Sequence, residues 1–280
     1  MFIFKLGPKI PAVFAGRLLG VPVVFDMIDL LTGYSRNRFV YRFGPKLEQW
    51  VMKRADFVVV TSQNLKALGV NCGAKRMEQV RHGVNLELFY PRPRRRDSIV
   101  FVGGMEANDG VLLIPEAARI VLRSYPGIRF RFVGEGKALS PLKQKVVDLG
   151  LSSCFEFRGW ADQKDIPEVL AGAKLGLVTS LGVAGTDYAY PLRSIEYMAM
   201  GLPFVASDLE GVREQAEKSR GGILFKAGSA GSLAESILRL LNDPVLCRTL
   251  GRNGRAWAVN HADWGKNALR IAEICEASVQ

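Results

Sequence analysis

Gly103-Gly104, Gly134-Glu135-Gly136 and the stretch from Gly185 to Asp208 hold the residue types best placed for chemistry in this chain. Each glycine pair follows an apolar run and leads towards a helical one, where a turning backbone can aim N–H groups at phosphate oxygens. Neither completes G-x-G-x-x-G, and no acidic residue follows at dinucleotide spacing, which disfavours a nicotinamide or flavin role. A strand-ending glycine used only for a tight turn accounts for either pair equally well. The third stretch reads as a loop, a helix and a strand in succession. Its loop ends around Pro191 and Leu192 at a helix N-terminus, where free N–H groups and the positive end of the dipole favour a diphosphate. Arg193 adds a guanidinium fork, and Glu196 one turn on can accept hydrogen bonds from ribose hydroxyls.

These groups need a scaffold. Apolar runs alternating with helical stretches predict parallel βαβ units and an α/β fold. Strands are expected at 2–6, 21–25, 57–61, 78–81, 99–103, 128–134, 155–157, 175–179, 203–207 and 222–225, and the later set is complete enough for a doubly wound sheet. Helices are expected at 11–19, 46–54, 62–68, 111–124, between the strands at 128–134 and 155–157, at 165–173 and 194–200, then 232–242, 244–260 and 264–277. Phe2-Ile3-Phe4 has no polar alternation and reads as a strand buried on both faces. The stiff basic segment at Pro91 and Pro93 predicts a boundary. It separates a partial domain at 1–92 from a second at 93–262, with a closing helix at 263–280 packing back towards the first.

At 280 residues and 48% hydrophobic content the chain can bury two modest cores. No apolar run approaches the ~20 residues of a membrane-spanning helix, and no signal-peptide layout opens the chain, so a soluble cytoplasmic protein is expected. Cys72, Cys154, Cys247 and Cys275 are widely spaced and read as packing residues, with no metal-ligand cluster. A net charge of +11 favours an anionic partner. Arg36, Arg38, Arg42, Lys46, Lys53 and Arg54 alternate with Phe39, Tyr41, Phe43, Leu47 and Trp50, which suits either a membrane-facing amphipathic helix or a solvated one. Nucleic acid is a poor third partner, because no helix-turn-helix, zinc finger or aromatic RNA-binding signature is present.

The segment from Pro191-Leu-Arg-Ser-Ile-Glu-Tyr-Met-Ala-Met-Gly201 to Pro203-Phe-Val-Ala206 resembles the donor-binding motif of family 4 glycosyltransferases, which have the GT-B fold. The likeness extends to Ala55 through Ser62, to Arg81-His82-Gly83-Val84-Asn85 with Phe89 and Pro91, to Phe157-Arg158-Gly159-Trp160, and to Gly211 with Glu214, so it covers nearly the whole chain. It implies two Rossmann-like doubly wound domains, the N-terminal one incomplete. It also implies a retaining transfer of sugar from a nucleoside-diphosphate-sugar donor to a hydroxyl acceptor, glycan or lipid-linked, in polysaccharide or glycolipid synthesis. The donor is then a substrate and not a cofactor, and no metal is needed where cations and helix termini hold the phosphates. The implied donor contacts are Gly103, Gly104, Trp160, Tyr188, Pro191, Leu192, Arg193 and Glu196, with Asp187 and Glu196 as the implied catalytic carboxylates.

The sequence also departs from that pattern. Of two glutamates eight positions apart only Glu196 is present, and Tyr188, beside Asp187, stands at the other place. Gly104 and Asp109 occupy places where the family commonly has an arginine and a lysine, a loss worth on the order of 10²-fold in rate. Arg193 or Lys137 would have to compensate. Ile28 replaces a histidine ahead of Asp29, and the chain opens midway through the family's first domain. A sugar-nucleotide-binding module, or a subunit completed by a second chain, therefore stands beside the transferase. A sugar-nucleotide epimerase is a third alternative, less suited because it also needs first-domain acids and histidines.

Overall fold

A computed structural model describes residues 2–4, 9–30, 38–92, 97–183, 188 and 190–279, and divides the chain into two compact units. Unit 1 is 1–83 with 183–190 and 264–280, and unit 2 is 84–182 with 191–263.

Unit 1 carries a parallel sheet in the order β1 (Phe2–Phe4), β2 (Val23–Met27), β3 (Phe57–Val60), β4 (Met77–Gln79). Every residue of β2 and β3 is buried, as a parallel strand covered on both faces requires. The side-chain period of two divides them. Val23, Phe25, Met27, Val58 and Val60 pack with Val13 of α1 (Lys9–Leu19), Val51 and Met52 of α2 (Arg38–Arg54) and Leu65 of α3 (Gln63–Asn71). Val24, Phe57 and Val59 face Ile274 and Cys275 of the last helix, Trp264–Ala277. That helix is tied to the sheet by Arg270, whose Nε and Nη2 reach the two Glu78 carboxylate oxygens at 2.6 and 2.7 Å. β1 pairs with β2 alone among the described residues. α2 begins well before Lys46 and runs through Pro45, which is exposed. A proline lacks the N–H that continues a helix, which is why the expected start lay after it.

Unit 2 holds six parallel strands in the order β10-β9-β8-β5-β6-β7, with β5 at Ser98–Val102, β6 at Arg129–Val133, β7 at Phe155–Phe157, β8 at Ala173–Val178, β9 at Phe204–Ser207 and β10 at Gly222–Phe225. Counted within the unit this is 3-2-1-4-5-6, the doubly wound order whose reversal lies between β5 and β8. Phenylalanines stand directly opposite each other: Phe101 against Phe132, Phe130 against Phe155 and Phe132 against Phe157, with ring centroids 5.9, 5.2 and 5.3 Å apart. Such pairs pin strand register, because a one-residue slip would turn each ring to the opposite face.

Helices α4 (Ile114–Ser124), α5 (Leu139–Asp148) and α6 (Ile166–Ala171) join the first strands, and α7 (Leu192–Ala199) and α8 (Glu210–Ser219) join β8 to β9 and β9 to β10. α4 buries Ile114, Ala117, Ala118 and Val121, the i, i+3, i+4, i+7 spacing of one helix face. α9 (Ala230–Asn242) and α10 (Pro244–His261) complete the unit, and the helix at Trp264–Ala277 is α11. α10 starts where Asp243 Oδ1 accepts the Val245 and Leu246 N–H groups at 3.0 and 2.8 Å and Pro244 needs no partner.

Candidate functional site

The turns after β5, β6, β7 and β8 meet at the C-terminal edge of the unit 2 sheet. Gly103 N–H donates to Val133 O at 2.9 Å, Gly134 N–H to Gly159 O at 2.7 Å and Met105 N–H to Glu135 O at 2.8 Å. The turns approach so closely that a Cβ on Gly134, whose φ is 128°, would fall on the Gly103 carbonyl. Glycine is therefore demanded there by contact as well as by backbone angle.

The loop after β5 crosses to β8. Thr179 Oγ1 donates to Asp109 O at 2.7 Å and Leu181 N–H to Asn108 O at 2.8 Å. Asp109 Oδ2 accepts the Glu106 N–H at 2.9 Å, closing a turn that presents Oδ1. Arg193 Nη2 donates to that Oδ1 at 2.9 Å, with the two side chains 16% and 18% exposed. Arg193 Cζ lies 4.5 Å from the centre of the Phe101 ring. A Cβ on Gly103 would stand 3.2 Å from Nη2, so the glycine turn borders the guanidinium directly. Nη1 is buried and has no hydrogen-bond partner among the described residues. A buried cationic donor left unsatisfied costs on the order of 1–3 kcal/mol or more, so the site calls for an anionic or acceptor oxygen.

Arg193 and Glu196 ride on α7, whose N-cap Pro191 offers no side-chain cap. Ser194 Oγ and Gln215 Nε2 instead donate to Pro191 O at 2.8 and 3.0 Å, which anchors the loop and leaves the helix's own first N–H groups to other acceptors. Glu196 is buried, and desolvation pushes its carboxyl up to about 7, with Arg193 opposing that shift. Behind it the Tyr197 hydroxyl accepts the Val102 N–H at 3.1 Å and donates to Leu177 O at 3.3 Å. It bridges β5 and β8 beyond Val100 and Gly176, the last residues those strands pair. Its ring fills the space a side chain at residue 176 would need. Burial pushes the phenol far above its ordinary value.

Gly103, Pro191, Leu192, Arg193 and Glu196 are thus brought together, with Gly104 next along the turn and 4.0 Å from Asp109 Oδ2, measured from a Cβ placed on it. Trp160 follows the β7 turn and is 67% exposed, which leaves its ring face open and rules out a core role. Tyr188 belongs to unit 1 and is half-buried against that unit's core, while Asp187 lies outside the described residues. Asp29, just past β2, is half-buried in unit 1. Two residues take roles the motif did not announce. Asp109 is the ion-pair partner of Arg193, and Tyr197 spans the two central strands. The only local signal for the latter is a tyrosine in a buried helix following a strand that contains Gly176. Among the described residues no group of three or more His, Cys, Asp or Glu is placed to hold a metal ion.

The family described as glycosyl transferases group 1 matches residues 96–243, over half of the chain. The putative glycosyltransferase EpsD of Bacillus subtilis (strain 168) is 26% identical over 248 residues, covering 82% of this chain and 63% of that protein. The amylovoran biosynthesis glycosyltransferase AmsK of Erwinia amylovora is 30% identical over 182 residues, covering 62% and 44%. The chain therefore spans less than two thirds of the length of either relative. The crystal structure of Anabaena Alr3699/HepE in complex with UDP superposes with a TM-score of 0.83 at 20% identity, over 98% of this chain and 78% of that one. Fold, matched segment and site lie on the same residues, and this chain belongs to the glycosyl transferases group 1 family, with the two Rossmann-like units of the GT-B fold.

Proposed function

We propose that the protein is a retaining glycosyltransferase that takes a sugar from a nucleoside-diphosphate donor to a hydroxyl acceptor, a glycan or a lipid-linked one, in polysaccharide or glycolipid synthesis. The observation that carries it is the buried Arg193 Nη1, without a hydrogen-bond partner among the described residues, beside the Gly103 turn at the start of α7, which has no side-chain N-cap. A diphosphate supplies the missing acceptors. It lies at the strand-order reversal, where doubly wound sheets bind ligands, and between the dipole of α7 and a guanidinium. Glu196 takes the ribose hydroxyls, and the main chain beside Trp160 takes the base. Asp187 or Tyr188 contacts the sugar. The leaving phosphate assists front-face attack, so no enzyme nucleophile is assigned. UDP bound to Anabaena Alr3699/HepE, the same fold, supports a nucleoside diphosphate here.

Arg193 and the helix terminus carry the phosphate charge, so transfer needs no metal, and EDTA leaves turnover unchanged. The working place is the cytoplasm beside a membrane surface, although no described helix is long and apolar enough to cross one. The amphipathic reading of α2 agrees in part: Arg42, Phe43, Lys46 and Lys53 are exposed, while residues 31–37 lie outside the described ones. A second chain that completes unit 1 is also proposed.

The test is turnover of UDP-sugar and GDP-sugar donors together with calorimetric binding of the nucleoside diphosphates. Arg193→Ala should weaken binding by about 10²-fold, and Glu196→Ala should abolish turnover. The ion pair of Asp109 with Arg193 favours a second reading, a binding module, because it already neutralises the cation the leaving group needs. Tight nucleotide binding without turnover of any donor would decide for the module.

A further inference from the structure

The four-stranded sheet of unit 1 has a cavity of about 590 Å³ at its N-terminal edge, the end opposite to Asp29. Arg17 from the last turn of α1, Arg54 from the end of α2, and Lys75 and Arg76 ahead of β4 line it, together with Gly16 and Gly20. Asp56 is the single acid in the lining; its Oδ2 accepts the Val23 N–H at 2.9 Å, and Lys75 Nζ stands 3.8 Å from Oδ1. Arg17, Arg54 and Arg76 form no ion pair among the described residues. Arg54 Cζ sits 4.3 Å from the centre of the Trp50 ring, and Arg76 Cζ 5.3 Å from that of Phe57. A guanidinium stacked on an aromatic face is held in place with its N–H edge free to bind.

Two of these cations also answer the negative ends of α1 and α2. Four cations less one carboxylate and half-charges from the ends of α1, α2 and α11, whose following Ser278 and Val279 also line the cavity, still leave about +1.5. That excess suits a phosphate group, whether a monoester or a singly charged diester, which guanidinium forks from separate elements bind well.

We propose that this cavity is an anion site for a phosphate group carried by an organic body, either a soluble phosphorylated compound or the head group of an anionic lipid. The site is independent of the nucleotide crevice in unit 2 and of the transfer reaction. Its test is calorimetric titration of the full chain with sodium phosphate and with vesicles of phosphatidylglycerol, against vesicles of phosphatidylcholine. Arg17 and Arg76 are exposed, so their double replacement by alanine should leave the fold intact. We expect Arg17→Ala/Arg76→Ala to weaken whichever probe binds by about tenfold or more, while the same variant binds UDP as the parent does. A response to phosphate names a soluble ligand, and one confined to phosphatidylglycerol names a lipid head group. Binding undiminished in the double variant, UDP binding lost along with it, or silence from both probes overturns the site.

Discussion

The sheet of unit 2 reverses its strand order between β5 and β8, whereas the sheet of unit 1 runs from β1 to β4 in chain order. A reversal sends the turns after its two central strands to opposite faces and leaves a crevice between them; a sheet without one closes its turns over a single direction. Turn glycines at the two sheets serve two different ends. In unit 1 Gly20 and Gly73 have φ of 64° and 76°, and a Cβ on either would meet nothing within 4 Å. They only turn the chain. In unit 2 Gly134 lies against the Gly103 backbone and Gly103 against Arg193. There the same residue type lets loops and a guanidinium crowd one spot.

The contrast is broken most directly at Gly134. Gly134→Ala should destabilise unit 2 by more than about 3 kcal/mol in urea unfolding, since neither backbone can yield without uncoupling the β5 and β6 turns. A cost near that of an ordinary turn glycine would erase the distinction between Gly134 and a glycine that only turns the chain.

Glu196 gives the next largest effect. Its carboxyl titrates at about 7 in the fold and near 4.5 in an exposed chain. The folded state therefore holds a proton that the unfolded state releases across that window, so stability falls as pH rises from 4.5 to 7 and is level above it. Glu196→Gln removes the dependence. By pH 8 it should be more stable than the parent by about 3 kcal/mol, relative to their difference at pH 4. Parallel melting curves from pH 4 to 8 would show instead that the carboxylate is solvated.

Tyr197→Phe should cost about 1–3 kcal/mol by orphaning the buried Val102 N–H and Leu177 carbonyl. Hydrogen exchange at Val102 should accelerate while that at Val58, in the middle of the unit 1 sheet, does not change. Gly73→Ala is the smallest change, at about 1 kcal/mol, because only a left-handed backbone angle is strained. Its unfolding midpoint measured beside that of Gly134→Ala sets the scale of the whole comparison.

Much of the fold was legible from local pattern. The strands at Phe155–Phe157 and Gly222–Phe225 and the helix at Trp264–Ala277 fall on their expected residues, because apolar runs between turn residues carry their own period. α8 had no expected counterpart: Glu210–Ser219 is mostly charged or polar, and its buried Gly211, Val212, Gln215, Ala216 and Ser219 make no apolar stripe. The helix expected to run to residue 173 ends at Ala171, and Ala173 opens β8 instead. A small residue fits either element, and pairing with Ser98 decides for the strand.

The sequence by itself determined the α/β alternation, the glycine turns and the presence of Arg193 and Glu196 one turn apart on a helix, since all of these depend on spacings within a few residues. Only the tertiary structure decided that Asp109, 84 positions away, holds Arg193, that Tyr197 reaches Val102 across 95 positions, and that Glu196 is desolvated. Strand order brings those groups together, and strand order is settled by the packing of whole layers, to which no local spacing is sensitive.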